Sequence, residues 1–359
     1  MTKRHLIVMA AGTGGHVMPG LAVAREMQAR GWSVSWLGTT TGIENRLVPP
    51  SGITLDVIAF SGLRGKGLLH TMTGGLRLLA AFWACQRIIR QRRANAVLGM
   101  GGYVCFPGGL MASLLGRPLL LVNADASLLL SNKVLLPLAD RVLFGFDGAA
   151  ARQRRGALVT GNPVRAEIET LEPPSKRFAT RSGALRLLVV GGSLGAKALN
   201  DALPAAISLI DASRRPRITH QTGTAQHEEV RALYARLGVP ADTLPFIDDM
   251  AGALADCDLM ICRAGAVTVS ELCAAGVAAL LVPLIVSTTS HQRDNALWLA
   301  SHGAGLHLPQ AELTSVRLAE LLGSLTRQGL LAMAEKARSL ARPRAAARVA
   351  DAIESLVPA

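Results

Sequence analysis

The sequence predicts an α/β protein made of two Rossmann-like domains that face a cleft. Two glycine-rich loops, residues 12–15 and 191–195, lie about half the chain apart, and each follows a short apolar strand and precedes a helix. This order of strand, tight turn and helix start directs backbone N–H groups and a positive helix end at an anion, typically a phosphate. Strand and helix signals alternate along both halves, which indicates parallel, doubly wound sheets.

Composition narrows the class of protein and its partners. A chain of 359 residues favours two domains, and its apolar half contains few aromatic residues, as expected of parallel sheets. The net charge of +13 indicates a surface that attracts nucleic acid, anionic lipid or phosphorylated substrates. Because the sequence has no RNP, KH or zinc-finger pattern, we expect no nucleic-acid partner.

Cysteine usage and hydropathy indicate the compartment. The five cysteines are odd in number and include no CxxC pair, which indicates reduced thiols and a cytosolic protein. The apolar run at residues 6–10 is too short for a signal peptide and predicts a first strand. The uncharged stretch at residues 272–290 is interrupted by Gly276 and Pro283, so we expect no membrane-spanning helix.

Periodicity locates the elements and the domain boundary. Strands are predicted at residues 5–10, 33–37, 55–59, 96–99, 118–122 and 141–144, then at 186–190, 217–221, 244–246, 258–262, 279–282 and 305–308. Helices of the first half are predicted at 17–30, 43–48, 72–93, 106–115 and 128–137. We expect domains at 1–163 and 164–343, with a last helix, 344–359, that packs back on the first domain.

The first glycine loop differs from a dinucleotide-binding fingerprint. Val17 stands where the third glycine is required, and residues 36–39 supply no acidic group at the end of the second strand. NAD binding is therefore disfavoured, and the loop is either a phosphate or substrate contact or a plain tight turn.

His16 and a third glycine turn are candidate site residues of the first domain. The positive helix end beside His16 disfavours imidazolium, so we expect the neutral ring that a general base requires; the alternative is a polar residue that only orients the loop. Gly101, Gly102 and Tyr103 follow a strand, at the edge where α/β sheets bind ligands. Tyr103 either contacts a ligand or caps the core.

The second domain carries two polar candidates. A helix predicted to start near Ala266 can hold a diphosphate, and Glu271, one turn later, either reaches a ribose diol or is an ordinary acidic residue of a helix start. His291, Gln292 and Asn295 either contact sugar hydroxyls or form a solvated helix start.

An aspartate pair and a basic helix complete the candidates. Asp256-Cys257-Asp258 spells a metal-binding DxD, but it precedes its strand, at the wrong edge for ligands, so we expect no metal and no cofactor. Residues 67–95 combine apolar and arginine side chains. This stretch is either a helix that lies on an anionic membrane through Leu79, Phe82 and Trp83, or a core helix with a basic face.

These motifs together resemble the MurG family of glycosyltransferases over nearly the whole chain. The matching stretches are residues 12–16, 61–67, 99–103, 161–165, 191–193, 246–250 and 262–271, and His291-Gln292 with Asn295. The resemblance implies a GT-B fold and inverting, metal-independent transfer of GlcNAc from UDP-GlcNAc to lipid I, which forms lipid II for peptidoglycan. It also implies an acceptor-binding first domain, a donor-binding second domain, and a peripheral position on the cytoplasmic face of the inner membrane, whose surface is anionic.

The same resemblance, with the candidates above, assigns site residues. Donor contacts are expected at Thr13, Gly14, Gly15, Asp125, Arg165, Ser193, Ile247, Ala266, Val267, Thr268, Val269, Ser270, Glu271 and Gln292. Acceptor contacts are expected at Gly14, Gly15, His16, Gly101, Gly102 and Tyr103, with His16 as the base and Leu79, Phe82 and Trp83 at the membrane.

Two stretches depart from the family pattern. Residues 122–125 read Val-Asn-Ala-Asp where the family usually has His-Glu-Gln-Asn, and residues 284–290 lack its usual Pro-His pair and acidic residues. A second catalytic residue beside His16 is therefore left open. The alternatives to a transferase are a UDP-sugar epimerase of similar fold and a non-catalytic basic protein that binds membrane or nucleic acid.

Overall fold

The chain forms two compact units, Met1–Pro163 with Arg344–Ala359, and Val164–Pro343. The computed structural model describes residues 3–12, 14–60, 68–154, 156–192, 195–284 and 290–357, with the backbone alone for 68–74. Among these residues, no helix combines the length and the apolar character needed to cross a bilayer.

The first unit is built on a parallel sheet in the order β3-β2-β1-β4-β5-β6-β7. Its strands are β1 His5–Ala10, β2 Ser33–Thr39, β3 Thr54–Ile58, β4 Ala96–Gly101, β5 Leu119–Asn123, β6 Arg141–Phe144 and β7 Leu158–Val159. Its helices are α1 Gly14–Ala29, α2 Glu44–Leu47, α3 Leu68–Gln91, α4 Cys105–Leu114, α5 Leu130–Leu135 and α6 Ala149–Arg152. The strand order reverses between β1 and β4, so ligands are expected at the carboxyl ends of these two strands.

The second unit repeats this plan in the order β10-β9-β8-β11-β12-β13, again all parallel. Its strands are β8 Arg186–Val190, β9 Arg217–Gln221, β10 Asp242–Leu244, β11 Leu259–Cys262, β12 Ala278–Leu281 and β13 Gly305–His307. Its helices are α7 Ala166–Glu169, α8 Pro174–Ala179, α9 Lys197–Ser208, α10 His227–Arg236, α11 Met250–Asp256, α12 Ala266–Ala275, α13 His291–Ser301, α14 Ser315–Ser324 and α15 Arg327–Ser339. The order reverses between β8 and β11.

Both faces of the first sheet are covered. Alternate residues of β1 point to opposite sides, so Leu6 and Val8 pack towards α1, whereas Ile7 and Met9 pack towards α3 and α4. Burial on both faces explains why the strand is a continuous apolar run without alternation.

The last helix, α16 Ala345–Glu354, packs on α1 in the first unit. Val349 and Ile353 lie in the core there. Arg30, in the turn between α1 and β2, forms ion pairs with Asp351 at 2.6 Å and Glu354 at 2.8 Å. These contacts link the chain terminus to the end of α1.

The predicted fold class, with two parallel sheets between helices, is confirmed, and two strands differ from prediction. β7 was not predicted because two residues carry no periodic signal. β10 lies at Asp242–Leu244 and not at 244–246, because Pro245 has no N–H with which to continue the ladder.

Candidate active site

The carboxyl ends of β1 and β4 lie close together at a turn that contains two glycines. Ala11 N donates to Gly101 O at 3.2 Å, and Gly101 and Gly102 have φ values of 123° and 93°. A Cβ at Gly102 would overlap the backbone of Ala11. This positive-φ turn therefore requires glycine. It holds the first glycine loop, residues 12–15, against the glycine turn at residues 101–103.

His16 lies in the first turn of α1, as predicted. Its Nδ1 is 3.4 Å from Ala11 O, and because a carbonyl can only accept, this contact places the proton on Nδ1 and the lone pair on Nε2. The ring lies over Gly101, where an added Cβ would be 2.7 Å from Cδ2. The arrangement suits an imidazole that accepts a proton at Nε2.

The remaining candidates of the first glycine loop flank His16. Gly14 and Gly15 form the start of α1, whereas Thr13 lies outside the described residues. Tyr103 is 54% exposed, so its ring is available to a ligand and does not cap the core.

Asp125 is buried in a loop that asparagines hold in place. Asn123 Nδ2 donates to Asp125 O at 2.7 Å and to Ser127 O at 3.0 Å, and Asn123 Oδ1 accepts from Leu129 N at 3.0 Å. Asn162 Nδ2 donates to Ala124 O at 2.9 Å. Asn123, which stands where the family usually has glutamate, thus supports the backbone at and after Asp125, whereas Asn162 supports it just before.

In the second unit, α12 begins at Ala266 as predicted, after Gly265, which offers no side-chain cap. Val267 and Thr268 are partly exposed in this first turn. Val269, also among the predicted donor contacts, has a fully buried side chain, and its N–H donates to Gly265 O at 2.9 Å. It supports the turn from inside the unit.

Arg165 and Glu271 were predicted as separate donor contacts, but they contact each other. Arg165 Nε and Nη2 both lie 2.9 Å from Glu271 Oε1. Burial raises the pKa of the Glu271 carboxyl, and the Arg165 guanidinium opposes that shift. The pair places a cation and a carboxylate at the second turn of α12.

Side chains brace the other loops at this edge. Gln292 Oε1 accepts from Leu284 N at 2.9 Å, and Asn295 Nδ2 donates to Ala264 O at 3.0 Å. Gln221 Nε2 donates to Gly192 O at 2.9 Å and so supports the second glycine loop, a role that no sequence pattern indicated.

Ile247, another predicted donor contact, is buried just after β10. Ser193 and the stretches 61–67 and 285–289 lie outside the described residues.

Comparison with known proteins identifies the family. Residues 6–144 match the glycosyltransferase family 28 N-terminal domain, and residues 186–356 match its C-terminal domain. A protein of Methylibium petroleiphilum, named UDP-N-acetylglucosamine--N-acetylmuramyl-(pentapeptide) pyrophosphoryl-undecaprenol N-acetylglucosamine transferase, is 70% identical over 99% of both chains. A protein of the same name from Chromobacterium violaceum is 60% identical, also over 99% of both. The crystal structure of Acinetobacter baumannii MurG superimposes with a TM-score of 0.89 at 40% identity, covering 98% of this chain and 99% of that one.

The chain belongs to the MurG family. The family resemblance and the GT-B fold class expected from the sequence are thereby confirmed, and so is the prediction of a glycosyltransferase.

In this MurG family member, the Asp256-Cys257-Asp258 stretch has a structural role. Asp258 is fully buried and pairs with Arg181 at 2.6 Å and Arg327 at 3.3 Å, and Asp256 pairs with Arg186. Both aspartates lie at the amino end of β11, away from the carboxyl edge where the glycine turns lie.

Helix α3 presents an apolar stripe to solvent. Leu79 is 64% exposed and Trp83 is 65% exposed, and the exposed Arg87 continues the same face one turn later. Phe82 is different, because it is only partly exposed and its ring packs edge-on against Phe106 at 5.8 Å. Of the three predicted membrane residues, two are exposed and Phe82 faces α4.

Proposed function

We propose that this glycosyltransferase moves GlcNAc from UDP-GlcNAc to lipid I and forms lipid II, with inversion at the anomeric carbon. The proposal rests on the full-length identity to relatives whose names state N-acetylglucosamine transfer to the pyrophosphoryl-undecaprenol acceptor. The first unit binds the acceptor and the second binds the donor.

The transfer is a single displacement. His16 Nε2 takes the proton of the acceptor hydroxyl, whose oxygen bonds to the anomeric carbon of GlcNAc as the bond from that carbon to the UDP oxygen breaks. UDP departs with the electron pair of the broken bond. The N–H groups at the start of α12, and Arg165, stabilise the charge on the diphosphate, as oriented donors do in other transfer reactions.

The other predicted contacts divide between the two substrates. Glu271 holds the ribose, Ile247 the uracil, and Gln292 and Asp125 the GlcNAc. Two of these, Glu271 and Gln292, already bond within the second unit, so donor binding exchanges protein contacts for ligand contacts. The loop at Gly14, Gly15 and Gly101–Tyr103 faces the acceptor pyrophosphate and sugar.

We also propose that the enzyme is peripheral on the cytoplasmic face of the inner membrane. The exposed Leu79 and Trp83, beside the arginines of α3, combine apolar area with positive charge on one helix face. Such a face suits an anionic lipid surface, where the acceptor's long lipid is anchored.

The test is the release of UDP from UDP-GlcNAc, measured with and without lipid I. Release that depends on lipid I, with a matching amount of lipid II formed, is the expected result. Conversion of UDP-GlcNAc to another UDP-sugar without an acceptor would instead indicate an epimerase. No change in UDP-GlcNAc under either condition would contradict both activities.

A further inference from the structure

Glu44, a carboxylate that no motif marks, lies beneath the first glycine loop. It begins α2, five residues after β2 ends, and it is 0% exposed. Its Oε1 accepts from Thr39 N at 2.9 Å and from Thr39 Oγ1 at 2.7 Å. Its Oε2 accepts from Gly12 N at 3.2 Å. One side chain thus joins the carboxyl ends of β1 and β2.

Among the described residues, no cationic side chain pairs with Glu44, and hydrogen bonds alone stabilise its negative charge. Burial opposes its ionisation, but the donors from Thr39 and Gly12 outweigh burial and lower the pKa of Glu44. A buried carboxylate costs free energy unless every oxygen is well bonded. Glu44 therefore holds its donors in place as an anion.

Neighbouring glycines make room for this side chain. A Cβ at Gly38 would lie 2.8 Å from Glu44 Cγ, and a Cβ at Gly42 would overlap the carboxylate. In dinucleotide-binding folds, an acidic residue near the end of the second strand contacts a ribose of the ligand. Here the carboxylate of Glu44 points into the protein and accepts a hydrogen bond from the first glycine loop itself.

We propose that Glu44 is a positioning residue for the transfer reaction. Gly12, which Glu44 holds, has a φ of 98° and is only four residues from His16 in the first turn of α1. Fixing Gly12 N therefore fixes where the loop ends, where α1 begins and how His16 Nε2 faces the acceptor. This inference rests on the proposed function of His16.

The first test is Glu44→Gln, which keeps the size of the side chain. A carboxylate accepts at both oxygens, but a carboxamide accepts at one. Because Thr39 supplies two donors and Gly12 supplies one, we expect the amide oxygen to face Thr39 and the amide NH2 to face Gly12 N, which then loses its partner. We expect kcat on lipid I to fall at least about tenfold, because small displacements of a catalytic group are costly, while KM for UDP-GlcNAc stays within about twofold.

The matched control is Thr39→Val. It removes the hydroxyl donor at 2.7 Å but leaves the contact between Glu44 and Gly12 intact. We expect this variant to lose thermal stability and to keep kcat within about twofold of wild type. Both variants are compared at equal concentrations of folded protein, measured by circular dichroism.

The outcomes separate this inference from the proposed function. Wild-type kcat in Glu44→Gln would overturn the positioning role, and so would an equal loss of kcat in both variants that tracks their loss of stability. If Glu44→Gln does not fold, Glu44→Asp, which keeps the charge but cannot reach both donors, is judged by the same kcat and KM criteria. Failure of the wild-type enzyme to release UDP with lipid I would instead contradict the function itself.

Discussion

Arg165 and Glu271, which lie 106 residues apart in the chain, meet at the second turn of α12, where two guanidinium nitrogens share one carboxylate oxygen at 2.9 Å. The contact orders both side chains before any donor arrives. It also makes the carboxylate the group on which the guanidinium depends for its orientation. If Glu271 holds the ribose as proposed, its loss should affect donor binding both directly and through Arg165.

We predict that Glu271→Ala weakens UDP and UDP-GlcNAc to the same degree, since a ribose contact is independent of the sugar. The loss of a hydrogen bond to a charged group corresponds to roughly 1.5–3 kcal/mol, measured by calorimetry. Gln292→Ala is the control, because it should weaken UDP-GlcNAc and leave UDP unchanged. Unchanged UDP affinity in Glu271→Ala would remove the ribose role.

His16→Ala should retain affinity for UDP-GlcNAc and lower turnover by about 100-fold or more, the usual scale for a lost general base. The reason is the arrangement at Ala11, where the contact to Nδ1 leaves Nε2 as the proton acceptor. Turnover on lipid I and donor affinity are measured on the same preparation. His302→Ala, a histidine of the second unit, serves as control. Near-wild-type turnover in His16→Ala would exclude the histidine from the mechanism.

Local sequence patterns predicted the strands well, since a strand buried on both faces is a continuous apolar run between turns. All the predicted strands begin and end within two residues of the observed bounds. His16 and the start of α12 were also predictable, because each follows directly from a strand, a glycine turn and a helix start.

The contacts between distant residues were not predictable in this way. Glu44 lies 32 residues from Gly12, and its carboxylate could be placed only once β1 and β2 were paired. The burial of Val269 likewise depends on which face of α12 meets the core. Side-chain partners of this kind are set by tertiary packing and leave no local periodic signal.

His220 gives the second unit a predictable response to acid. Burial lowers the pKa of His220 to about 4, against 6.5 for an unperturbed histidine, and its Nδ1 lies 3.0 Å from Tyr234 Oη. The unfolded chain binds a proton first, so this contribution to stability is complete above pH 6.5 and is lost as pH falls towards 4.

We expect this histidine to account for about 2 kcal/mol of the stability lost between pH 7 and pH 5. Urea unfolding at the two pH values should show a smaller loss in His220→Gln than in the wild type. Tyr234→Phe keeps the buried ring and should keep the full pH dependence. Equal losses in wild type and His220→Gln would show that the histidine does not titrate in this window.

Transfer should persist in EDTA. Helix starts and Arg165 are proposed to hold the leaving diphosphate, and the aspartates of the Asp256-Cys257-Asp258 stretch are already paired with arginines. The measurement is lipid-I-dependent UDP release before and after chelation. Activity that is lost in EDTA and restored by Mg²⁺ or Mn²⁺ would show that a metal is required.

The exposed stripe of α3 leads to a prediction about membrane binding. Wild-type protein should bind anionic vesicles better than neutral ones, because each nearby arginine contributes about 1 kcal/mol at an anionic surface. Salt screens this electrostatic attraction but does not weaken the burial of the apolar side chains. Added salt should therefore weaken binding without abolishing it. Sedimentation with vesicles of the two compositions, at low and high salt, measures both effects.

The decisive variant is Leu79→Ser with Trp83→Ser, since both side chains are mostly exposed, whereas replacing Phe82 would also remove its contact with Phe106. This double variant should lose vesicle binding and turnover on lipid I, yet keep its thermal stability and its turnover on a short-chain, water-soluble acceptor. Leu209→Ser with Val316→Ser, an equally exposed apolar pair on the second unit, should change neither vesicle binding nor turnover. If the α3 variant instead loses activity on both acceptors together with stability, the stripe supports the fold of the first unit and does not bind the membrane.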